Sequence, residues 1–320
     1  MSTSEDRWIE PMAATLTNDR FSDPGWLFER KLDGVRTLAT RYAGRTRLMS
    51  RNRKDVSSSY PEIVTALDET TDVADFVVDG EIVAFDGNRT SFAMLQKRIH
   101  QTDARTIAAS GVPAYFYAFD LLRWDGHDAR SLPLRERKSL LLDALDFTDP
   151  LRFTEHRLEH GEEAYEQACA RGWEGVIAKR ADGRYRSGRS RDWLKFKCVR
   201  EQEFVVGGLT PPSGSRHGLG ALLIGHHASD GLRYAGKVGT GFTEAMIAEL
   251  RKRLDPLEQS ASPFVDPPRE KGARWVRPEL VVQVAFSEWT TAGRLRHPSY
   301  KGIRTDKAAA DVVREEADQS

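Results

Sequence analysis

The sequence has little cysteine, no long apolar run and no net charge. Its two cysteines, Cys169 and Cys198, do not form a closely spaced pair of the metal-binding type, so we expect a reduced cytoplasmic protein without a disulfide framework. No apolar run approaches the roughly 20 residues that a membrane-spanning helix needs. The N-terminus is polar and acidic, unlike a signal peptide. These absences exclude a membrane protein and favour a globular one.

The charges balance overall but are distributed unevenly along the chain. The 48 Lys and Arg residues equal the 48 Asp and Glu residues, which argues against a uniformly basic coat for nucleic acid. Between residues 180 and 200, however, eight cations are opposed by only two carboxylates. This segregation predicts a phosphate-binding face, although a merely solvated loop remains the alternative. The candidate phosphate contacts are Arg184, Arg186 and Arg189 in this segment, with Arg51 and Arg53 in a second basic run.

The length and the pattern of apolar residues predict two domains. In residues 1–200 we expect an α+β unit with mostly antiparallel strands and several short helices. One predicted hairpin joins Phe76–Val78 to Ile82–Phe85 through an Asp79-Gly80 turn. In residues 201–320, several short strands and one helix favour a small five-stranded oligonucleotide-binding (OB) barrel. The boundary is expected near residues 199–202.

Four groups of polar residues occur where strands are expected to meet turns, and therefore at the edge of a cleft. They are Lys31 with Asp33 and Arg36, then Glu81, then Glu174, and finally Lys195 with Lys197. The last two are two positions apart on one strand, so both point to the same face. Each group alone also fits an ordinary surface charge, and the functional interpretation depends on the whole set.

Together, these groups predict a lysine nucleophile that acts on phosphate. An amine attacks only when deprotonated, and the ordinary lysine pKa is about 10.4. We expect Lys195, Lys197 and Arg36 to lower the pKa of Lys31 by repulsion, with a metal adding to the effect. The carboxylates Glu81 and Glu174 could hold Mg²⁺ or Mn²⁺ together with substrate phosphate oxygens.

Six short segments, in order, resemble the motifs of the covalent nucleotidyltransferases, the superfamily of DNA ligases, RNA ligases and mRNA capping enzymes. The segments are Lys31–Arg36, Ser50–Asn52, Tyr117–Asp120, Glu174–Lys179, Leu194–Lys197 and Arg304–Lys307. Within this superfamily, the segments Glu10–Met12, Gly236–Phe242 and Arg296–Pro298 resemble ATP-dependent bacterial DNA ligases of the ligase D type. Ala13 departs from the leucine that is more usual there. We expect a stand-alone ligase module without a polymerase or nuclease domain, and we infer ligation more directly than end joining.

The resemblance implies that Lys31 attacks the α-phosphate of ATP and carries AMP, which then activates the 5′-phosphate of a DNA nick for sealing. It also implies roles in binding the nucleotide. Phe119 and Ile177 would enclose adenine, Glu29 would meet its edge, Arg36 and Glu174 would hold ribose and phosphate, Arg51 would also contact the nucleotide, and Glu81 would contact ribose or metal. Lys195 and Lys197 would bind the AMP phosphate, Arg304 and Lys307 would orient pyrophosphate, and Asp33 would form the bend that aims Lys31. The expected DNA contacts are Arg51, Arg53, Arg184, Arg186 and Arg189.

Two other functions stay open from the sequence. One is an RNA ligase or a GTP-using, capping-type guanylyltransferase, which nucleotide preference would distinguish. The other is a nick-binding module without catalysis, against which the retained Lys31, Glu174, Lys195 and Lys197 argue. The expected partners are nicked or broken double-stranded DNA and a Ku-type end-binding protein. We expect a monomer in the bacterial cytoplasm or nucleoid, taking part in DNA repair.

Overall fold

The structure, a computed structural model, describes residues 8–99, 101–198, 200–212 and 218–315. The polar N-terminal residues therefore lie outside the described part, as does residue 199 in the expected domain boundary. The chain divides into two compact units, and the first of them ends at Cys198. Within the described ranges, no helix is both long and apolar enough to cross a membrane.

The described residues of the first unit form two larger sheets and five α-helices. Its strands are β1 (Met12–Leu16), β2 (Trp26–Lys31), β3 (Val35–Tyr42), β4 (Arg45–Ser50), β5 (Phe76–Val83), β6 (Phe85–Asp86), β7 (Arg89–Thr90), β8 (Tyr115–Trp124), β9 (His127–Asp128), β10 (Leu151–Phe153), β11 (His156–Leu158), β12 (Gly175–Arg180) and β13 (Gly188–Lys197). Its helices are α1 (Pro61–Glu69), α2 (Phe92–Gln96), α3 (Ala104–Ala109), α4 (Leu134–Ala144) and α5 (Gly161–Ala170), with a short 3₁₀ helix at Ser57–Ser59.

The two sheets of this unit pack against each other through a shared apolar layer. The first sheet has the strand order β1-β13-β12-β2-β11, and the second has the order β10-β8-β5-β3-β4 with β9 beside β8. All neighbours are antiparallel except β1 with β13 and β10 with β8. The shared layer contains Met12 and Trp193 of the first sheet and Leu38, Val77, Phe119 and Leu122 of the second.

The outer face of the first sheet is covered by α5. Alternation along β2 sends Phe28 to that face, where it packs with Val176, Phe196 and Ala168 of the helix. Leu27, Glu29 and Lys31 therefore point to the opposite face, toward the second sheet. The amphipathic pattern of the strand thus directs Lys31 into the groove between the sheets.

The predicted hairpin at Asp79-Gly80 is wrong, because β5 runs through both residues without turning. Asp79 is fully buried and ion-paired to Arg36, so it is not a solvated turn residue. Gly80 is required by close packing, since a Cβ there would lie 2.4 Å from the ring of Phe116. The pairing of β5 with β8 shifts register next to Gly80. The pair thus marks a bulge inside a strand, which local sequence does not distinguish from a turn.

The prediction of two unbonded cysteines is also wrong. Cys169 near the end of α5 forms a disulfide with Cys198 just beyond β13, and their Cα atoms are 5.2 Å apart. The helix crosses the sheet so that its C-terminal end lies over the end of β13, which sequence spacing does not reveal. The bond therefore closes the junction between α5, β13 and the end of the first unit.

The second unit is built mainly from strands around one central strand. Its elements are β14 (Glu201–Thr210), β15 (Ala221–Ala228), β16 (Gly231–Val238), α6 (Glu244–Leu254), β17 (Glu258–Gln259), β18 (Arg274–Val276), β19 (Val281–Ala285), β20 (Glu288–Trp289), β21 (Leu295–Arg296) and β22 (Ser299–Ile303), with 3₁₀ helices at Asp255–Leu257 and Ala309–Asp311. β14 pairs with β15, β18 and β19, and β22 adds to β19. Its core contains Phe204, Leu222, Val282 and Leu250 of α6.

Candidate active site

The strand register places the predicted lysines in rows across the first sheet. Gly175 of β12 lies between Lys31 of β2 and Lys197 of β13. One row further, Ile177 lies between Glu29 and Lys195. Since residues two apart share a face, all these side chains project into the same groove. The structure thus brings Lys31, Lys195 and Lys197 together, and Lys195 and Lys197 share a face, as the alternation along β13 indicated.

Gly175 allows the central row to form. Its φ of +149° is a conformation that side chains rarely adopt, and a Cβ there would lie 1.9 Å from the carbonyl oxygen of Phe196. Glycine is therefore required where β12 meets β13. Because Gly175 has no side chain, nothing projects from β12 between Lys31 on β2 and Lys197 on β13.

The turn after Lys31 is fixed by contacts on both sides. A carboxylate oxygen of Asp33 accepts a hydrogen bond of 2.9 Å from the backbone N–H of Phe92, at the start of α2. The backbone N–H of Asp33 donates to Thr90 Oγ1 at 3.1 Å. A Cβ on Gly34 would lie 2.2 Å from the Ile82 carbonyl oxygen, so the chain passes too close for any other residue. Asp33 and Gly34 thus hold the bend that positions Lys31, as the sequence analysis proposed.

The Lys31 ammonium forms an ion pair with the Glu174 carboxylate. Burial by itself would lower the pKa of Lys31, but Glu174, and after it Glu81 and Asp33, outweigh burial and raise the pKa above that of an ordinary lysine. The predicted lowering is therefore wrong. The charged groups that act most strongly on Lys31 are carboxylates and not the neighbouring lysines.

The second sheet presents a row of polar groups to the same groove. Glu81 of β5 lies between Arg36 of β3 and Tyr117 of β8. Its Oε1 accepts a 2.9 Å hydrogen bond from the backbone N–H of Gly34. The guanidinium of Arg36 pairs with both oxygens of buried Asp79, at 2.6 and 2.5 Å. Arg36 is therefore anchored, with its charge largely matched by a partner that the sequence analysis did not identify.

Glu29 lies deep in the structure, held by two lysines. Its carboxylate is 2% exposed and pairs with Lys138 of α4 and Lys179 of β12, each at 2.6 Å. Burial would raise the pKa of Glu29, but the two ammonium groups outweigh it and the pKa is lowered. Burial, and after it repulsion by Lys138, lower the pKa of Lys179 to about 8 despite attraction to Glu29. A carboxylate kept ionised in this way accepts hydrogen bonds and donates none.

An open cavity of about 620 Å³ lies beside the free end of β2. Glu29, Arg30 and Leu32, which bracket Lys31, contribute to its lining. Aromatic walls come from Tyr117 and Trp173. The volume is in the range of small-molecule sites, roughly 300–1,000 Å³. The lining also includes Phe28 and Val176, which face α5, and it does not include Lys31. The cavity therefore runs along the edge of β2 and could accept a flat ligand there.

Phe119 and Ile177, the predicted adenine-enclosing pair, are not among the residues that line this cavity. Phe119 is 6% exposed and belongs to the apolar layer between the sheets. The Arg36 guanidinium carbon and the Lys179 ammonium lie 4.4 and 4.1 Å from its ring centroid. Ile177 is partly buried in the row between Glu29 and Lys195. Their contact with adenine stays a prediction.

The predicted DNA-contacting arginines lie on the surface of the first unit. Arg51 and Arg53 are exposed in the turn after β4, and Arg184, Arg186 and Arg189 are exposed before and at the start of β13. Arg186 is 3.7 Å from Asp192, and Arg189 donates to the Ala14 carbonyl oxygen at 3.0 Å. Both groups are accessible to phosphate, and DNA contact by them stays a prediction.

The predicted pyrophosphate-orienting residues of the second unit are engaged in ion pairs there. Arg304 binds both oxygens of Asp306, at 2.8 and 2.7 Å. Lys307 is 3.1 Å from Glu203. The two side chains are only 13% and 10% exposed. Any role on pyrophosphate therefore requires these cations to exchange their internal partners for the ligand.

The described residues contain no cluster of three or more His, Cys, Asp or Glu side chains that could by itself hold a metal ion. Glu81 and Glu174 both act on Lys31, so they lie near one another in the groove. Two carboxylates suit a Mg²⁺ site that substrate phosphate oxygens complete. The residues present fit a cation shared with the substrate.

Sequence reasoning missed several groups that shape the site. Lys138 and Arg137 are buried on α4, and Arg137 forms a bidentate pair with Asp120, the last residue of the third motif. A signal was present in the helix: the buried positions Leu134, Arg137, Lys138 and Leu141 follow the spacing of an apolar stripe. Two cations within such a stripe indicate buried partners.

A model of the ATP-dependent DNA ligase domain matches residues 11–197, and a model of the C-terminal region of ATP-dependent DNA ligases matches residues 215–307. The chain therefore belongs to the ATP-dependent DNA ligase family. The predicted combination of a nucleotidyltransferase domain with an OB-fold domain is confirmed.

Within this family, the chain is similar to proteins named LigD. It is 38% identical over 323 residues to the multifunctional non-homologous end joining protein LigD of Pseudomonas aeruginosa, covering 98% of this chain and 37% of that protein. It is 42% identical over 318 residues to LigD of Mycobacterium tuberculosis, covering 96% of this chain and 40% of that protein. The chain thus spans less than half the length of these relatives. A solved structure of mycobacterial DNA ligase D complexed with ATP and MES matches with a TM-score of 0.68 and 36% identity, covering 95% of this chain and 98% of the other.

Proposed function

We propose that the chain seals breaks in DNA with ATP, through AMP carried on Lys31. The observation that supports this most directly is the row formed by Lys31, Gly175 and Lys197, with Glu174 paired to the nucleophile. It places an amine, a second cation and a carboxylate at one end of a groove. The similarity to a ligase structure that contains ATP supports the same nucleotide here.

The reaction has three displacements at phosphorus. In the first, Lys31 Nζ attacks the α-phosphorus of ATP, a P–N bond forms, and pyrophosphate leaves. In the second, an oxygen of the DNA 5′-phosphate attacks the lysyl-AMP phosphorus and the protonated amine of Lys31 leaves. In the third, the 3′-hydroxyl attacks the activated 5′-phosphate and AMP leaves. Such transfers need positioning and charge neutralisation more than covalent help from other groups.

The cations and the carboxylates of the groove would have different roles in the reaction. Lys195 and Lys197 face the same side as Lys31 and would neutralise the α-phosphate as charge moves to the leaving group. Glu81 and Glu174 would hold Mg²⁺ or Mn²⁺, which supplies further charge neutralisation on the phosphates. In doing so, the two carboxylates would release the Lys31 ammonium that they stabilise, and its pKa would fall.

The purine base has a suitable place in the cavity beside β2. Glu29 supplies a hydrogen-bond acceptor there, and Tyr117 and Trp173 supply aromatic surface. This would assign base stacking to Tyr117, two residues before Phe119 on β8. Replacement of Tyr117 and of Phe119 by alanine, each measured by the KM for ATP, separates the two assignments.

The covalent step is tested with α-labelled nucleotide. The protein is incubated with labelled ATP or GTP and Mg²⁺ or Mn²⁺ without DNA, and covalent label is measured after denaturation. We expect label from ATP in the wild type and none in Lys31→Ala. Label that persists in Lys31→Ala, or that comes only from GTP, would overturn the proposal.

The nucleic-acid substrate is tested by sealing. We expect a nicked DNA duplex to be sealed faster than the same nick in RNA, with a strong dependence on salt because phosphate contacts dominate. Faster sealing of RNA would support an RNA ligase instead. Arg184→Ala and Arg186→Ala should weaken binding without altering lysyl-AMP formation.

The LigD relatives carry non-homologous end joining in their names, which supports a role on double-strand ends. Joining of linear duplexes, with and without an added Ku-type end-binding protein, tests this role apart from nick sealing. Stimulation of joining by that partner is expected. Nick sealing without any end joining would restrict the proposal to nicks.

A further inference from the structure

The buried ion cluster around Glu29 connects three elements, namely β2, α4 and β12. Lys138 Nζ of α4 donates to Glu29 Oε1 at 2.6 Å and to the Thr154 carbonyl oxygen at 2.9 Å. Lys179 Nζ of β12 lies 2.6 Å from Glu29 Oε2. All three charged side chains are 2% exposed. Each oxygen of one carboxylate is therefore held by its own ammonium group.

Stability alone does not explain this arrangement. Burying charges costs several kcal/mol per ion in desolvation, and apolar side chains of similar volume are often as stable or more so. Two cations on one carboxylate also leave an excess positive charge, which is spread over aromatic rings. Lys179 lies 4.1 Å from the ring centroids of Phe119 and Trp193. Lys138 lies 4.5 Å from that of Phe153.

The cluster lies next to the residue that is proposed to receive the nucleotide. Glu29 is two residues before Lys31 on the same face of β2, in the cross-strand row beside that of Lys31 and Lys197. It also contributes to the lining of the cavity. Lys138 belongs to none of the six motifs. Its partner atoms are nevertheless the carboxylate of Glu29 and the backbone of Thr154, and both residues line the cavity.

The chemistry of the carboxylate favours one purine over the other. An ionised carboxylate can only accept hydrogen bonds. Adenine presents an exocyclic amino group, a donor, where guanine presents a carbonyl oxygen, an acceptor. A carboxylate that cannot turn or take up a proton would pair with the first and repel the second.

We propose that Lys138 is a positioning residue that holds Glu29 as a fixed, ionised acceptor and thereby makes the site select adenine over guanine. This inference rests on the proposed function, since it concerns the nucleotide that Lys31 attacks. Lys138 acts through Glu29 and has no contact with the reacting atoms. Lys179, on β12, pairs with the other oxygen of the same carboxylate. Lys138 is the partner that comes from a helix.

The test compares nucleotide selectivity in Lys138→Met, Lys138→Arg and the wild type. Initial rates of covalent labelling are measured without DNA over a range of ATP and GTP concentrations, and the ratio of kcat/KM values is calculated. In Lys138→Met, Glu29 can turn and protonate, so we expect the ATP preference to fall about tenfold or more. Lys138→Arg keeps the cation and should restore most of the preference. Arg135→Met, on the exposed side of the same helix, should match the wild type.

The outcomes separate this inference from the proposed function. If wild-type protein forms no label on Lys31, the proposed function fails. If it labels with ATP, and a folded Lys138→Met has an unchanged ATP preference despite a lower rate, Lys138 is only structural and the inference is overturned.

A second variant covers the case in which Lys138→Met does not fold. The double variant Glu29→Gln, Lys138→Met removes both charges of the pair, and the carboxamide of glutamine both donates and accepts. We expect its ATP preference to fall about tenfold or more relative to the wild type. Retained preference in this variant would also overturn the inference.

Discussion

Replacing Arg137 by methionine tests the buried charge pair that ties α4 to the third motif. The guanidinium of Arg137 donates to both carboxylate oxygens of Asp120 at 2.7 and 2.8 Å, and both side chains are fully buried. It also donates to the carbonyl oxygens of Leu132 at 2.6 Å and Gly183 at 2.9 Å. One side chain thus connects α4, β8 and the start of the basic segment before β13.

The expected loss follows from leaving Asp120 buried without this partner. Breaking a buried pair from one side costs about 3–5 kcal/mol. For a unit of this size, each kcal/mol lowers the melting temperature by roughly 2–4 °C. We therefore expect the melting temperature of the first unit, measured by calorimetry on the whole chain, to be at least roughly 6 °C lower in Arg137→Met. Urea unfolding of the same chain measures the loss in the free energy of unfolding.

Two comparisons make this prediction specific. Arg135→Met on the exposed side of α4 should change stability by less than about 0.5 kcal/mol. The double variant Arg137→Leu, Asp120→Asn removes both charges and should recover at least about 1 kcal/mol relative to Arg137→Met. A single variant within about 1 kcal/mol of wild type, or a double variant no more stable than the single one, would refute the reasoning.

Four further predictions follow from the site and its junctions. Because the pKa of Lys31 is raised in the free protein, only a small fraction is deprotonated at neutral pH, so lysyl-AMP formation at ATP concentrations well below KM should accelerate about tenfold per pH unit between about pH 6 and 8 in rapid-quench measurements. Gly175→Ala, whose Cβ would lie 1.9 Å from a backbone oxygen, should lose more than about 3 kcal/mol in urea unfolding, together with most labelling. Reduction of the Cys169–Cys198 bond, which closes a loop with a sequence separation of 29, should lower stability by about 3–4 kcal/mol in calorimetry. Arg304→Ala should slow self-adenylylation more than the sealing of pre-adenylylated DNA.

Each of these four predictions has a control variant or a result that would contradict it. A pH profile that is flat below about pH 8 would contradict a raised lysine pKa. Gly44→Ala also has a positive φ but meets nothing within 4 Å, so it separates the clash at Gly175 from the backbone penalty. The double serine variant of the two cysteines should not respond to reductant. Equal loss of both steps in Arg304→Ala would argue against a role on pyrophosphate.

The parts of the fold that the sequence predicted are those in which local pattern and packing agree. Alternation along β13 was sufficient to place Lys195 and Lys197 on one face, because period-2 strands fix the face of every side chain. Lys31 was expected at the same cleft from its position where a strand meets a turn. The Asp33-Gly34 bend was recognised because aspartate and glycine are common in turns, although the contacts that hold it come from residues far along the chain. Asp79-Gly80 carries the same two letters, yet long-range contacts decide its conformation.

The parts that the sequence did not predict depend on partners far along the chain. Repulsion by neighbouring lysines was expected to lower the pKa of Lys31. Its strongest interaction is instead with the carboxylate of Glu174, 143 residues away. The hold on Glu29 comes from Lys138, 109 residues away, on a helix without a recognised motif. Electrostatics depends steeply on distance and burial, and neither is visible before the fold is known.

The carboxylates around Lys31 also bear on how reactivity is controlled. A permanently deprotonated amine in a groove would react with electrophiles other than the substrate. Pairing with Glu174 keeps Lys31 protonated and in position at once, at a place where Lys195 and Lys197 already face the phosphate side of the groove. The groups that would draw Glu81 and Glu174 away from Lys31 are those that arrive with the nucleotide. Under the proposed mechanism, substrate binding itself would switch the charge balance from one that stabilises the ammonium to one that opposes it. The raised pKa would then couple attack by Lys31 to the presence of ATP.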